Sequence, residues 1–403
     1  MNDQRISVLH FSNTLVRGGA EEHILTLLAG LDRERFRLLF VCTAEVAEQL
    51  RPNVPADVEV VPLRLEEPIQ LTAAWRFARI LHERRVHILH SHMFRASLVA
   101  SPIGWLCRVP VIIETSHGRE GWRRGWLKGR FVVDRWAGRF VDYYIAVSEV
   151  NARYLIKQKG LPAEKVTVIR NGCDLERFNP ARPDAEMKRA LGFEEGDPVL
   201  LVLGRLEPQK GHRVLLEALP AVRREFPHAR LVCVGEGALR KNLERQTAAL
   251  SLQDAVRFVG YQSNVPDWLA LADITVLPSF WEGLPLVAIE SLAAGRPVVA
   301  TAVDGTPEIV VNERTGLTVP PGDACRLANA ILRLLREPEL RKKLATAGHQ
   351  RVLERFSQEQ QIKKTTEFYL RAWERQARQA ATQEPAVSGE TSLSKESPHI
   401  EVP

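Results

Sequence analysis

Short runs of Val, Ile and Leu alternate along most of the chain with longer stretches whose apolar positions recur every three or four residues. In the first half the strand-like runs are Arg5–His10, Arg37–Val41, Val58–Pro62, Val86–His90, Val111–Thr115, Tyr143–Val147 and Val166–Ile169. Helical patterns intervene at Ala20–Leu31, Leu71–Glu83 and Ala96–Leu106. Nearly continuous apolar strands separated by amphipathic helices predict a parallel sheet covered on both faces. The rhythm pauses at Asn179–Asp197, where Pro180, Pro183, Gly192, Gly196 and then Pro198 mark a linker holding a small helix. It restarts with strands at Val199–Gly204, Arg230–Val234, Val256–Phe258, Ile274–Leu277, Val298–Ala300 and Leu317–Val319. Helices are expected at His212–Glu225, Gly237–Leu250, Leu286–Ala294, Ala324–Arg336 and Glu339–Phe356.

This pattern predicts an α/β protein of two doubly wound, Rossmann-like domains facing a central cleft, residues 1–180 and 181–357. Ligands of such sheets bind at the C-terminal ends of the strands. A further helix, residues 358–380, carries an apolar stripe of Ile362, Tyr369 and Trp373 with Thr366 between them. Residues 381–403 are rich in Ser, Glu, Thr and Pro, and disorder is expected there.

A length of 403 residues favours more than one compact unit, and 45% hydrophobic with 26% charged residues excludes collagen-like, coiled-coil or wholly disordered chains. The excess of 55 Lys and Arg over 49 Asp and Glu, a net +6, suits anionic ligands or an anionic membrane surface. No nucleic-acid recognition module accompanies it, so nucleic acid is not an expected partner. Cys42, Cys107, Cys173, Cys233 and Cys325 are odd in number and form no CxxC pair, which points to a reduced, cytoplasmic protein without a cysteine metal site. The N-terminus does not read as a signal peptide, and no apolar run approaches the roughly 20 residues that span a bilayer.

Candidate chemistry gathers at the ends of strands. Gly18-Gly19 follows the first strand and opens a helix, a place where backbone amides and the helix dipole can meet an anion. It is neither a GxGxxG fingerprint nor a Walker A loop. A bare turn is the simpler use of such a pair. After Val199–Leu203 comes Gly204-Arg205-Leu206-Glu207-Pro208-Gln209-Lys210-Gly211, whose Arg and Lys suit a diphosphate. On residue types alone, Arg205 pairing with a carboxylate while Lys210 faces water is an equal alternative. The segment Pro278–Glu290 places Glu282 in a loop and Glu290 about a turn and a half into the next helix, with Pro285 expected in that helix's first turn. That spacing makes a poor acid/base pair and suits two acceptors for separate hydroxyls of one polar ligand. Among His90, His92 and His117, His117 is best placed to face the cleft, and no HExxH or carboxylate–histidine metal pattern is present.

Between Gly118 and Arg139, basic residues alternate with aromatics. Trp122, Arg123, Arg124, Trp126, Lys128 and Arg130 make a candidate membrane or acceptor surface; an ordinary amphipathic helix packed on the first domain is the simpler alternative.

Taken together, these motifs resemble the retaining glycosyltransferases of family 4, which have the two-domain GT-B fold (glycosyl transferases group 1). The resemblance runs from about Ile6 to Tyr369. It rests on Gly18-Gly19, His117-Gly118, Ala146-Val147-Ser148-Glu149, Asn171-Gly172-Cys173-Asp174, Gly204-Arg205-Leu206 with Lys210-Gly211, and Glu282 with Glu290. Cys173 stands where the family commonly has Val. The resemblance implies a nucleotide-sugar donor held mainly by the second domain and an acceptor by the first. Arg205 and Lys210 would bind the diphosphate, Glu290 the ribose, and Glu282 with the amides of Gly283 and Leu284 the transferred sugar. Gly19, with Gly18, would approach the distal phosphate, and His117 the sugar's C6 hydroxyl. The catalytic candidates are thus Glu282, His117, Arg205 and Lys210.

The expected reaction transfers a sugar, with retention, from a UDP-sugar (GDP-sugar second) to a hydroxyl of a glycan, glycolipid or small molecule in cell-envelope polysaccharide synthesis. No cofactor and no metal are expected, since cationic side chains and helix N-termini can stabilise the leaving diphosphate. The alternatives are a non-catalytic sugar-nucleotide-binding or scaffold protein, and a sugar-nucleotide epimerase of the same fold.

Overall fold

The structure, a computed structural model, describes residues 5–65, 70–119, 131–179 and 185–383. Two parallel sheets account for the strand-like runs. The first contains β1 (Ile6–Phe11), β2 (Phe36–Cys42), β3 (Glu59–Pro62), β4 (Ile88–His92), β5 (Val111–Ser116), β6 (Tyr143–Ala146) and β7 (Val166–Val168), in the order β3-β2-β1-β4-β5-β6-β7. The second contains β8 (Val199–Leu203), β9 (Arg230–Val234), β10 (Val256–Gly260), β11 (Ile274–Leu277), β12 (Val298–Thr301) and β13 (Leu317–Val319), in the order β10-β9-β8-β11-β12-β13. In each sheet the order reverses beside the first strand, between β1 and β4 and between β8 and β11. That is where a parallel sheet opens a crevice at its strand C-termini.

Every residue of β1, β4, β5, β8, β11 and β12 is buried, as expected of strands with helices on both faces. One strand is displaced from its expected place: β4 runs to His92 rather than ending at His90. The cause is physical. Ser91 and His92 are polar yet fully enclosed, so apolar patterning ends before the strand does. Helices of four to seven residues, such as Ala44–Leu50 and Thr306–Ile309, are too short to show a helical period and are visible only in the fold.

The chain returns from the second domain to the first at its end. Cys173 and Ser357 form an isolated bridge, with Cys173 N donating to Phe356 O at 2.9 Å and Gln358 N to Cys173 O at 3.0 Å. Helix Gln358–Gln383 then lays Phe368, Tyr369 and Ala372 into the core behind β1 and β2. It continues past residue 380 into the segment expected to be disordered, because Ala380, Ala381 and Gln383 are good helix formers. Cys42, Cys107, Cys173, Cys233 and Cys325 are all free thiols.

Candidate active site

Loops leaving the C-terminal ends of the two sheets meet face to face. After β8, Gly204 takes φ +151° and the turn Pro208–Lys210 leads into Gly211 at φ +66°. A Cβ on Gly211 would stand 2.0 Å from the Pro278 carbonyl, so only glycine allows this turn to pack against the start of the loop after β11. Lys210 Nζ consequently reaches Glu282 Oε1 at 2.6 Å, and Ser279 Oγ donates to the same oxygen at 2.7 Å. The backbone N–H of Glu282 donates to Asp304 Oδ2 at 3.0 Å, and Asp304 pairs with Arg119 of the first domain at 2.8 Å. Burial raises the Asp304 carboxyl, an effect that the Glu282 N–H and Arg119 oppose.

The pairing reverses one alternative read from the residues. Lys210 is bound to a carboxylate, whereas the exposed Arg205 guanidinium has no hydrogen bond or ion pair among the described residues. Pro285 also differs from expectation. It is the extended residue before helix Leu286–Ala293, not a member of its first turn. Glu290 lies on that helix, partly exposed. Burial, and then the Glu22 carboxylate, raise it to about 7.

The first domain presents Gly18-Gly19 and His117 to this assembly. Gly18 N donates to Glu21 Oε2 at 2.9 Å, and Glu21 Oε1 accepts from Ser12 at 3.1 Å and Thr14 at 2.5 Å. This buried carboxylate, raised by its burial, clamps the glycine loop from behind. A Gly-x-x-Glu spacing is the signal that could have singled it out. A Cβ on Gly19 would come 3.9 Å from Leu286 Cδ1, so the glycine loop faces the start of the Glu290 helix.

At His117-Gly118 the two domains touch. A Cβ on Gly283 would lie 2.0 Å from the His117 carbonyl, and Ser148 Oγ donates to the Gly283 carbonyl at 3.3 Å. Leu284 is buried, and its carbonyl accepts from Asn171 Nδ2 at 3.2 Å. His117 belongs to a larger group that no sequence spacing revealed. His10, His23, His90 and His92 come from β1, β4 and helix Gly19–Gly30, and all are buried. Burial holds each of these imidazoles, His117 included, below its ordinary pKa, so they are neutral at pH 7.

The structure thus brings Lys210, Glu282, Gly283, Leu284, His117, Gly18 and Gly19 to one cleft, with Glu290 on its flank. Trp122, Arg123, Arg124, Trp126, Lys128 and Arg130 lie outside the described residues. No helix among the described residues is long and apolar enough to cross a membrane.

Comparison with known proteins agrees with this arrangement. The model for glycosyltransferase family 4 matches residues 17–177, and that for glycosyl transferases group 1 matches residues 183–351. A glycogen synthase of Mycobacterium tuberculosis is 33% identical over 297 residues, covering 72% of this chain and 69% of its own. A GDP-mannose-dependent monoacylated α-(1-6)-phosphatidylinositol monomannoside mannosyltransferase of Corynebacterium glutamicum is 29% identical, covering 85% of this chain and 91% of its own. Among solved structures, HepE of Anabaena in complex with UDP and glucose superposes with a TM-score of 0.81 at 22% identity, covering 91% of this chain and 99% of its own. The chain therefore belongs to the glycosyltransferases of family 4, the group 1 glycosyl transferases of GT-B fold, and is a nucleotide-sugar-dependent glycosyltransferase.

Proposed function

We propose that the chain transfers a sugar with retention from a UDP-sugar to a hydroxyl of a glycan, glycolipid or small molecule, with a GDP-sugar as the second candidate donor. The observation that carries this reading is the Lys210–Glu282 pair opposite Gly18-Gly19 and His117. In this reading Lys210 and the free Arg205 neutralise the departing diphosphate, the N-terminus of helix Gly19–Gly30 faces its distal phosphate, and Glu290 accepts from the ribose. Glu282 and the Gly283 and Leu284 amides orient the sugar, with His117 on its C6 hydroxyl. Closure of the two loops excludes water that would hydrolyse the donor. These cations make a metal unnecessary for leaving-group departure. With no protein nucleophile in the reading, the acceptor attacks from the face the diphosphate leaves, and a diphosphate oxygen takes its proton. The mannosyltransferase named above supports keeping GDP beside UDP.

A peripheral place on the cytoplasmic face of a membrane, and a role in envelope polysaccharide synthesis, form part of the proposal. Trp105, Leu106, Val132, Val133 and Trp136 are exposed, and Trp105 and Trp136 both pack on Phe140 at 5.5 and 5.2 Å. In sequence, Val132, Val133 and Trp136 follow the basic residues Arg123, Arg124, Lys128 and Arg130, a combination suited to anionic lipid.

A thermal-shift screen of nucleotide sugars tests the donor, since a ligand of the native state raises the Tm. Selective stabilisation by a UDP-sugar is expected. No stabilisation by any nucleotide sugar would overturn the reading, and a product of inverted anomeric configuration by NMR would overturn retention. Sedimentation with phosphatidylglycerol vesicles, weakened in Trp105→Ser/Trp136→Ser, tests the membrane contact.

A further inference from the structure

We propose that His23, His92 and His117 form a three-histidine site for a divalent transition metal of the Zn2+ class, in the first-domain wall of the cleft. One ring nitrogen from each lies within 4.8 Å of the others. His92 Nδ1 and His117 Nε2 are 3.4 Å apart, beyond the usual 2.7–3.2 Å range of a hydrogen bond (roughly). It does match the edge of a tetrahedron of nitrogens about 2.05 Å from one zinc ion, about 3.3 Å. The rings are disposed in the same way. Their centroids are separated by 4.9 Å (His23–His117), 5.6 Å (His23–His92) and 5.7 Å (His92–His117). Three imidazoles on one tetrahedral zinc would put their centroids about 5.2 Å apart.

The outer nitrogens of two rings are already held. In the tautomer with its proton on Nδ1, His23 donates to Asn171 Oδ1 at 2.9 Å, which leaves its Nε2 lone pair for a metal; Gln361 Nε2 lies 3.0 Å from the same Nδ1. His92 Nε2 lies 3.1 Å from His10 Nδ1, so in the tautomer with its proton on Nε2 its Nδ1 is free to ligate. Such outer hydrogen bonds orient and strengthen histidine ligands. His117 is the least buried of the three, so the fourth position opens toward the cleft, where a water or an anion completes the shell. An ion seated there would occupy His117, making the site inhibitory to transfer rather than required by it.

The test uses untagged full-length protein stripped with chelator, and reads metal content instead of transfer, so its outcome is separate from that of the transfer reading. Co2+ titration is expected to give the visible absorption of tetrahedral cobalt at one ion per chain. His23→Gln and His92→Gln are each expected to weaken Zn2+ binding at least tenfold with unchanged far-UV circular dichroism, and Asn171→Ala about tenfold. Absence of stoichiometric Co2+ binding by the wild type, or undiminished Zn2+ affinity in folded His23→Gln and His92→Gln, would overturn the proposal. Should the variants unfold, X-ray absorption of the zinc-loaded wild type decides: three imidazoles support it, and sulfur or oxygen ligands alone refute it.

Discussion

Lys210 Nζ lies 2.6 Å from Glu282 Oε1, tying the turn after β8 to the loop after β11. The pair sets the position of both groups before a donor arrives. Lys210→Met and Glu282→Gln are each expected to lower kcat about 10²–10³-fold. Because the side chains touch, the double variant should fall far short of the product of the two losses. Steady-state kinetics of the four proteins measure this; fully multiplicative losses would show that the two act independently.

Glu290, raised by burial and Glu22 to about 7, binds its proton more tightly in the folded chain than in the unfolded one. Its contribution to stability is therefore complete below the unfolded carboxyl pKa and is lost as the pH rises toward 7. Glu290→Gln should remove that loss, so the difference in unfolding free energy between variant and wild type, from urea titration, grows from pH 5 to pH 8. The change is expected to be on the order of 2–3 kcal/mol. A difference independent of pH would refute the assignment.

A methyl group on Gly283 would meet the His117 carbonyl at 2.0 Å. The clash lies between loops of two domains, so parting them relieves it without disturbing either core. Gly283→Ala should lower kcat/KM about a hundredfold while leaving the Tm nearly unchanged. Small-angle scattering should show a larger radius of gyration. Full activity in this variant would mean that the observed contact is not part of catalysis.

Glu21 is buried, and its carboxylate takes the Gly18 N–H and the Ser12 and Thr14 hydroxyls. Glu21→Ala strands those donors, and a loss of about 1–3 kcal/mol is expected from urea unfolding, with the donor KM raised by a loosened glycine loop. Glu21→Gln keeps an acceptor and should recover part of both.

The apolar runs alone were enough to locate the strands, with β4 two residues out, and the long helices, because the central strands, buried on both faces, are mostly apolar. The glycine pair, Arg205, Lys210 and Glu282 could be singled out as candidates for a related reason: each lies in a loop leaving the C-terminal end of such a strand, with Glu290 on the helix that follows. Spacing along the chain could not reveal that Lys210 meets Glu282 across 72 residues, or that Arg119 meets Asp304. Nor could it show His10, His23, His92 and His117 converging, since each looks like an isolated polar residue at its own strand end or helix. Only the winding of the sheet, which sets β1, β4 and β5 side by side, makes them neighbours. Burial is likewise a property of the packed chain, and it is burial that keeps these imidazoles neutral and lifts Glu290. Residue order decided what each strand and helix would be; which charges and rings face one another was decided by how the two sheets close.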